Sequence, residues 1–118
     1  MSWHFDDNRP IYLQIAERLE RDIVSGRLAK GEKLPSVREL ALGASVNPNT
    51  VQRAMQELEV RGLVSSQRTA GRQVTVDDAV IAMARDTLAP VQVRQFTAQM
   101  KLLGYTAEQV SKMIGEEW

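Results

Sequence analysis

The side chains in this sequence best suited to chemistry form hydrogen bonds and fall in one short stretch: Asn47, Asn49, Thr50, Gln52, Arg53 and Gln56. An amide side chain sets a donor beside an acceptor and matches the adenine edge. A guanidinium matches guanine, and a threonine meets a phosphate or a thymine methyl. Such groups can read a DNA groove, but each is equally ordinary as a solvated residue in the first turns of a helix. Groups that react or bind metal are scarce. One histidine, His4, and no cysteine leave no disulfide, thiolate zinc site, cysteine redox chemistry or histidine-anchored triad. Neither a G-x-G-x-x-G nor a G-x-x-x-x-G-K-[ST] phosphate loop occurs. Asp6-Asp7 and Asp77-Asp78 lack a third or fourth ligand nearby and read as helix-start charges. The sequence predicts a binding protein rather than an enzyme, with no cofactor and no metal site.

The polar stretch needs an element to hold it. Val51, Ala54, Met55 and Leu58 recur at i, i+3, i+4, i+7, the stripe of a helix that packs on a core. Asn47 suits its N-cap, Pro48 its first helical position and Gly62 its end. With that stripe buried, Asn49, Arg53 and Gln56 face outward and Thr50 and Gln52 lie on the flanks. A shorter helix precedes it. Ser36-Val-Arg-Glu39 fits a capping box, the helix ends near Gly43, and Arg38 falls in its first turn, where this kind of helix crosses the DNA backbone. Ser36 could donate to phosphate, although capping already explains it. Helix, short turn, helix is the helix-turn-helix plan.

Other segments complete the unit. Residues 10–25 read as an amphipathic helix with Ile11, Ile15, Leu19 and Ile23 on one face, Tyr12 and Ala16 alongside, Pro10 in its first turn and Gly26 past its end. Leu28 and Leu34 pin the turn-rich stretch that follows. Leu63-Val64 and Val74-Thr-Val76 have strand character and predict a hairpin wing, with Gly71 taking a positive φ in its turn and Arg68 and Arg72 flanking the tip for phosphate or minor-groove contact. From Asp77 the chain returns to helix, which Pro90 should kink or split; Gly104 ends it, and Thr106-Ala-Glu-Gln109 caps a last helix.

The fold class this gives is mainly α with a small β-hairpin: a winged helix-turn-helix over residues 9–76, then a two-helix tail over residues 77–118. With 118 residues, 43% apolar and 25% charged, the composition is that of a globular protein. No apolar run approaches the roughly 18 residues of a membrane span, and the first residues lack the basic and apolar regions of a secretory signal. These readings predict a cytoplasmic protein away from membranes. Net charge is zero overall, but residues 1–76 carry 11 basic and 9 acidic side chains against 4 and 6 in residues 77–118. That is a weak basic bias toward the reading head. In the tail, Val80, Ala84, Leu88, Phe96, Met100, Leu103, Val110, Met113 and Ile114 offer more apolar surface than two helices bury by themselves, which predicts a homodimer. The alternative is that the tail folds back on its own winged helix.

The residues also carry a resemblance. Pro10-Ile-Tyr-Leu-Gln-Ile15, Gly26-x-Leu28, Gly31-Glu-Lys-Leu-Pro-Ser-Val-Arg38-Glu-Leu-Ala41, Val46-Asn-Pro-Asn-Thr-Val51 and Gly62-Leu63 resemble the GntR family of bacterial transcription regulators across residues 10–76. The helical tail, with Leu-Gly-Tyr-Thr-x-Glu-Gln near its end, is similar to the YtrA subfamily. The resemblance implies a winged-helix reader of double-stranded operator DNA, homodimeric and typically a repressor. Its contacts would fall at Arg38, Asn47, Pro48, Asn49, Thr50, Gln52 or Arg53, and the wing around Gly71. The chain departs from the family's wing pattern Gly-x-Gly-x-Phe-Val, carrying Thr69-Ala-Gly-Arg-Gln-Val74 instead. A tail this short cannot enclose a usual ligand pocket of ~300 Å³ within one subunit. Any small-molecule effector would then act at the dimer interface or through the winged helix itself. A winged helix that binds protein instead of DNA is the rival reading.

Overall fold

Ile15, Leu19 and Ile23 repeat at helical spacing behind Pro10, and the chain folds there into α1 (Ile11–Val24). Pro10 is the N-cap rather than part of the first turn, with the extended ψ of 132° that a cap requires. Gly26 takes φ +82° just past the helix end. The computed structural model describes residues 3–68 and 71–118. After α1 come α2 (Val37–Ala44), α3 (Pro48–Val60), β1 (Val64–Gln67), β2 (Gly71–Val74), α4 (Asp78–Leu102) and α5 (Ala107–Glu117). The fold is a helical one carrying a two-stranded antiparallel hairpin, with Val64 opposite Val74.

Residues group into two units, one ending at Ala84 and one spanning Arg85–Trp118. The first has a single core. Ile15, Ala16, Leu19 and Ile23 of α1 meet Leu40 and Ala41 of α2 and Val51, Ala54, Met55 and Leu58 of α3, while Leu63, Val64 and Val74 close the base of the hairpin. Leu28 and Leu34 are buried, so the turn-rich stretch is pinned as its leucines predict. That stretch also joins the wing. Gly31 N–H donates to the Val74 carbonyl (3.0 Å), Val74 N–H to Glu32 (2.9 Å) and Leu34 N–H to Arg72 (2.9 Å), so β2 is paired on both edges. Trp3 and Phe5 stack at 5.8 Å and pack against the same core, with Arg18 over the Trp3 ring.

The start of α4 belongs to this unit: Ile81 is buried, and Val80 and Ala84 pack on the core. Pro90 does not split the helix, which runs unbroken for 25 residues through it. The ladder bond that proline cannot donate would end on Asp86, and both residues are exposed, so water can serve the freed carbonyl. In the second unit Gly104 takes φ +90° after α4, and Thr106 with Gln109 makes a complete capping box at the head of α5. Every residue from Arg85 to Trp118 is half-buried or exposed, so this unit has no core of its own. Among the described residues no helix is long and apolar enough to cross a membrane.

Candidate nucleic-acid interface

The interface begins at two helix starts. Ser36 accepts from the Glu39 N–H at 3.0 Å; the return bond from Glu39 is not made, so only half of the expected box forms. Its hydroxyl proton remains able to donate outward. Arg38 is exposed in the first turn of α2 and pairs with no carboxylate among the described residues. α2 then ends at Ser45, which takes φ +55°. It is the one non-glycine residue in the left-handed region among those described. This sharp reversal turns the chain into α3, where the Asn47 side chain accepts from the Asn49 N–H at 2.8 Å. Pro48 has no N–H to leave unpaired in the first turn. The cap uses the Asn47 carbonyl oxygen and leaves its NH₂ free to donate.

On α3 the division of faces is complete. Val51, Ala54, Met55 and Leu58 are each 0% exposed, while Asn49, Arg53 and Gln56 face solvent and Thr50 and Gln52 are half-buried on the flanks. A polar face this close to a capped N-terminus presents amides, a hydroxyl and a guanidinium together, backed by a rigid core. The N-terminal ends of α1 and α3 border an open groove of about 400 Å³ lined by Ile11, Tyr12, Asn49, Thr50 and Arg53. In it the Arg53 guanidinium carbon lies 3.9 Å from the centre of the Tyr12 ring. Sequence reading placed Tyr12 only in the α1 packing stripe; with 40 residues between the two, no local signal links them.

The wing is fastened to α3 by one carboxylate. Glu59 accepts from Arg72 Nε of β2 at 2.6 Å and from Ser66 Oγ of β1 at 2.7 Å. The Arg72 bond, then the Ser66 bond, hold the Glu59 carboxyl below its ordinary range. Arg72, expected among the wing contacts, therefore gives its Nε–H to the protein and keeps its terminal nitrogens for other use. Arg68 is exposed near the tip with no carboxylate partner among the described residues, and Gly71 takes the predicted positive φ of +75°. Of the wing's two departures, Thr69 lies outside the described residues, and Gln73 stands half-buried in β2 opposite Ser65.

Arg9, Arg18, Lys30, Arg61 and Arg72 each lie in an ion pair, with Glu17, Asp22, Asp78, Glu20 and Glu57, and Glu59 respectively. Arg38, Arg53 and Arg68 lie outside these pairs on α2, α3 and the wing, the elements that a winged helix applies to DNA, as do the exposed Arg21, Arg27 and Lys33 elsewhere on the head. Among the described residues no cluster of three or more carboxylates and histidines could hold a metal. Of the expected tail contacts, Val80 and Ala84 pack on the core of the first unit. Leu88, Met100 and Val110 are half-buried, and Phe96, Leu103, Met113 and Ile114 are exposed.

Comparison with known proteins agrees with this geometry. The family described as "Bacterial regulatory proteins, gntR family" matches residues 11–76. The HTH-type transcriptional regulator YhcF of Bacillus subtilis is 39% identical over 110 residues, covering 93% of this chain and 91% of that protein. The HTH-type transcriptional repressor YtrA of the same organism is 32% identical, covering 91% and 83%. Among solved structures, a GntR family transcriptional regulator from Listeria monocytogenes superposes with TM-score 0.79 at 37% identity, covering 95% of this chain and 98% of that one. The AraR DNA-binding domain in complex with its operator ORX1 superposes with TM-score 0.56 at 25% identity, over 64% of this chain and 92% of that one. These relatives are regulators, not enzymes.

Proposed function

The chain belongs to the GntR family and is a DNA-binding transcriptional regulator of the YtrA-like type; on that premise we propose that it acts as a homodimeric repressor at a palindromic operator near its own operon. The reading head is residues 9–76 and the dimerising tail residues 77–118. The observation that carries the DNA contacts is the solvent-facing set on three successive elements. Ser36 and Arg38 at the start of α2 and Arg68, Gly71 and Arg72 on the wing meet backbone phosphates. Asn47, Pro48, Asn49, Thr50, Gln52 and Arg53 enter the major groove.

The dimer rests on the second unit, which has apolar side chains and no core. With Val80 and Ala84 engaged by the head, Leu88, Phe96, Met100, Leu103, Val110, Met113 and Ile114 supply the contact. Two heads joined in this way read two half-sites, which is how small modules reach useful affinity. Light scattering at micromolar concentration should give a mass of two chains; a mass of one would remove the dimer. Fluorescence anisotropy with DNA from the protein's own upstream region should show tight binding that weakens steeply with salt, because each phosphate contact releases counterions. Arg38→Ala should weaken binding to all sequences alike and lower the salt slope by about one. Binding that ignores salt and does not exceed binding to random DNA would favour a protein partner. Loss of expression from a promoter–reporter fusion when the protein is supplied would establish repression; a gain would overturn it.

A further inference from the structure

We propose that Tyr12 is a positioning residue for base reading, holding Arg53 on its ring so that the guanidinium edge meets a guanine in each half-site. This rests on the DNA-reading function above and adds to it a residue from α1, outside the helix-turn-helix.

Arg53 sits in the second turn of α3, and its one partner among the described residues is the Tyr12 ring at 3.9 Å. The electron-rich face of an aromatic ring attracts a cation, and a contact to the guanidinium carbon at this distance is a face contact. Such a contact uses none of the five N–H donors, which lie in the guanidinium plane and stay available to the O6 and N7 acceptors of guanine. Tyr12 is itself half-buried against the core that also seats Val51 and Ala54, so the ring is a fixed platform and not a second mobile side chain. A free surface arginine samples many rotamers, and one already laid on a ring loses less freedom when it binds.

The position of Arg53 points to a base rather than a phosphate. It lies between Asn49 and Gln56 on the exposed stripe of α3, at the middle of the face that enters the groove. The unpaired arginines suited to the backbone, Arg38 and Arg68, stand at the edges on α2 and the wing.

The test is selection of duplexes from a randomised pool by the full chain, with sequencing to obtain the preference at every position. Wild type, Tyr12→Leu, Tyr12→Phe, Arg53→Ala and the Tyr12→Leu/Arg53→Ala double variant are compared, after circular dichroism shows each folded. Tyr12→Met fills the space without a ring and replaces the leucine variant if that one does not fold. Wild type should prefer guanine at one half-site position by roughly tenfold to a hundredfold, the discrimination of a good bidentate contact. Arg53→Ala should flatten that position. Tyr12→Leu should weaken it severalfold and leave the others unchanged, Tyr12→Phe should retain it, and the double variant should match Arg53→Ala. A uniform loss for every sequence in Tyr12→Leu would overturn the inference in favour of a structural or phosphate role. So would additive effects in the double variant, or Tyr12→Phe failing as badly as Tyr12→Leu, which would give the hydroxyl the role. If wild type enriches no sequence at all, sequence-specific reading itself falls and the inference with it.

Discussion

Replacing Glu59 by glutamine should loosen the wing from the recognition helix and do so with a definite pH signature. The glutamine keeps the shape and removes the charge that gathers Arg72 Nε at 2.6 Å and Ser66 Oγ at 2.7 Å. Hydrogen bonds to charged groups contribute about 1.5–3 kcal/mol when buried, and exposed ion pairs about 0.2–1 kcal/mol. With side chains 31% exposed for Glu59 and 19% for Arg72, the pair falls between those limits. Glu59 also stands in the last turn of α3, where a negative charge faces the carbonyl end of the helix, and losing it returns a few tenths of a kcal/mol. The net cost near neutral pH should be about 1 kcal/mol, which for a chain this size lowers Tm by roughly 4 °C. The Glu59 carboxyl is held below its ordinary value in the folded protein. Its contribution is therefore full above the unfolded value of about 4.3 and is lost as pH falls through the lower folded value. Urea unfolding of wild type and Glu59→Gln, repeated from neutral pH down through this range, should give a difference that is constant at first and then closes. Equal stabilities at neutral pH, or a difference that widens in acid, would refute the reasoning.

Other substitutions test other parts of the frame. Ser45→Gly should raise stability by up to about 1 kcal/mol in thermal unfolding, since it relieves a left-handed residue that costs an L side chain about 1–2 kcal/mol, less the added unfolded-state entropy of glycine. Met55→Ala empties a fully buried site on α3 and should cost about 2–5 kcal/mol in denaturant titration, with operator affinity falling at temperatures where the head begins to unfold. Asn47→Ala removes the cap on α3 and should cost about 0.5–2 kcal/mol by the same titration. Pro90→Ala restores the missing ladder bond in α4 and should stabilise that helix by up to ~3 kcal/mol, read as increased helical circular dichroism or slower amide exchange around Asp86.

What was legible in the sequence was what neighbours in the chain decide. Ser36 and Asn47 as caps, Pro48 in the first turn, the stripe from Val51 to Leu58, the helix ends at Gly26 and Gly104 and the positive φ of Gly71 depend on residues within one or two turns, and they stand as read. The family resemblance, carried by those same motifs, agrees with the structural relatives. Reading by type and spacing could not find partners brought together by packing. Nothing in the spacing of Tyr12 and Arg53 announces a ring contact, and Arg72 looked like any wing arginine until Glu59 was seen beneath it. The strand-like role of residues 31–34 was hidden because a Gly-Glu-Lys-Leu stretch has no strand periodicity; its backbone, not its side chains, makes the pairing. Pro90 misled in the other direction: α4 runs through it without a break, with Asp86 open to water, and its cost falls on the stability of the helix rather than on its continuity.

That backbone pairing bears on how the head folds. A two-stranded hairpin is marginal by itself in water, and here its third row comes from the other side of α2 and α3 in sequence. The hydrogen bonds between residues 31–34 and 72–74 thus close a loop containing the whole helix-turn-helix, and their entropic cost is met only once α2 and α3 have docked. Wing and recognition helix form one cooperative unit. The Val74 amide, donor to Glu32, should exchange with solvent only through global unfolding of the head, and damage to the wing should be felt in α3.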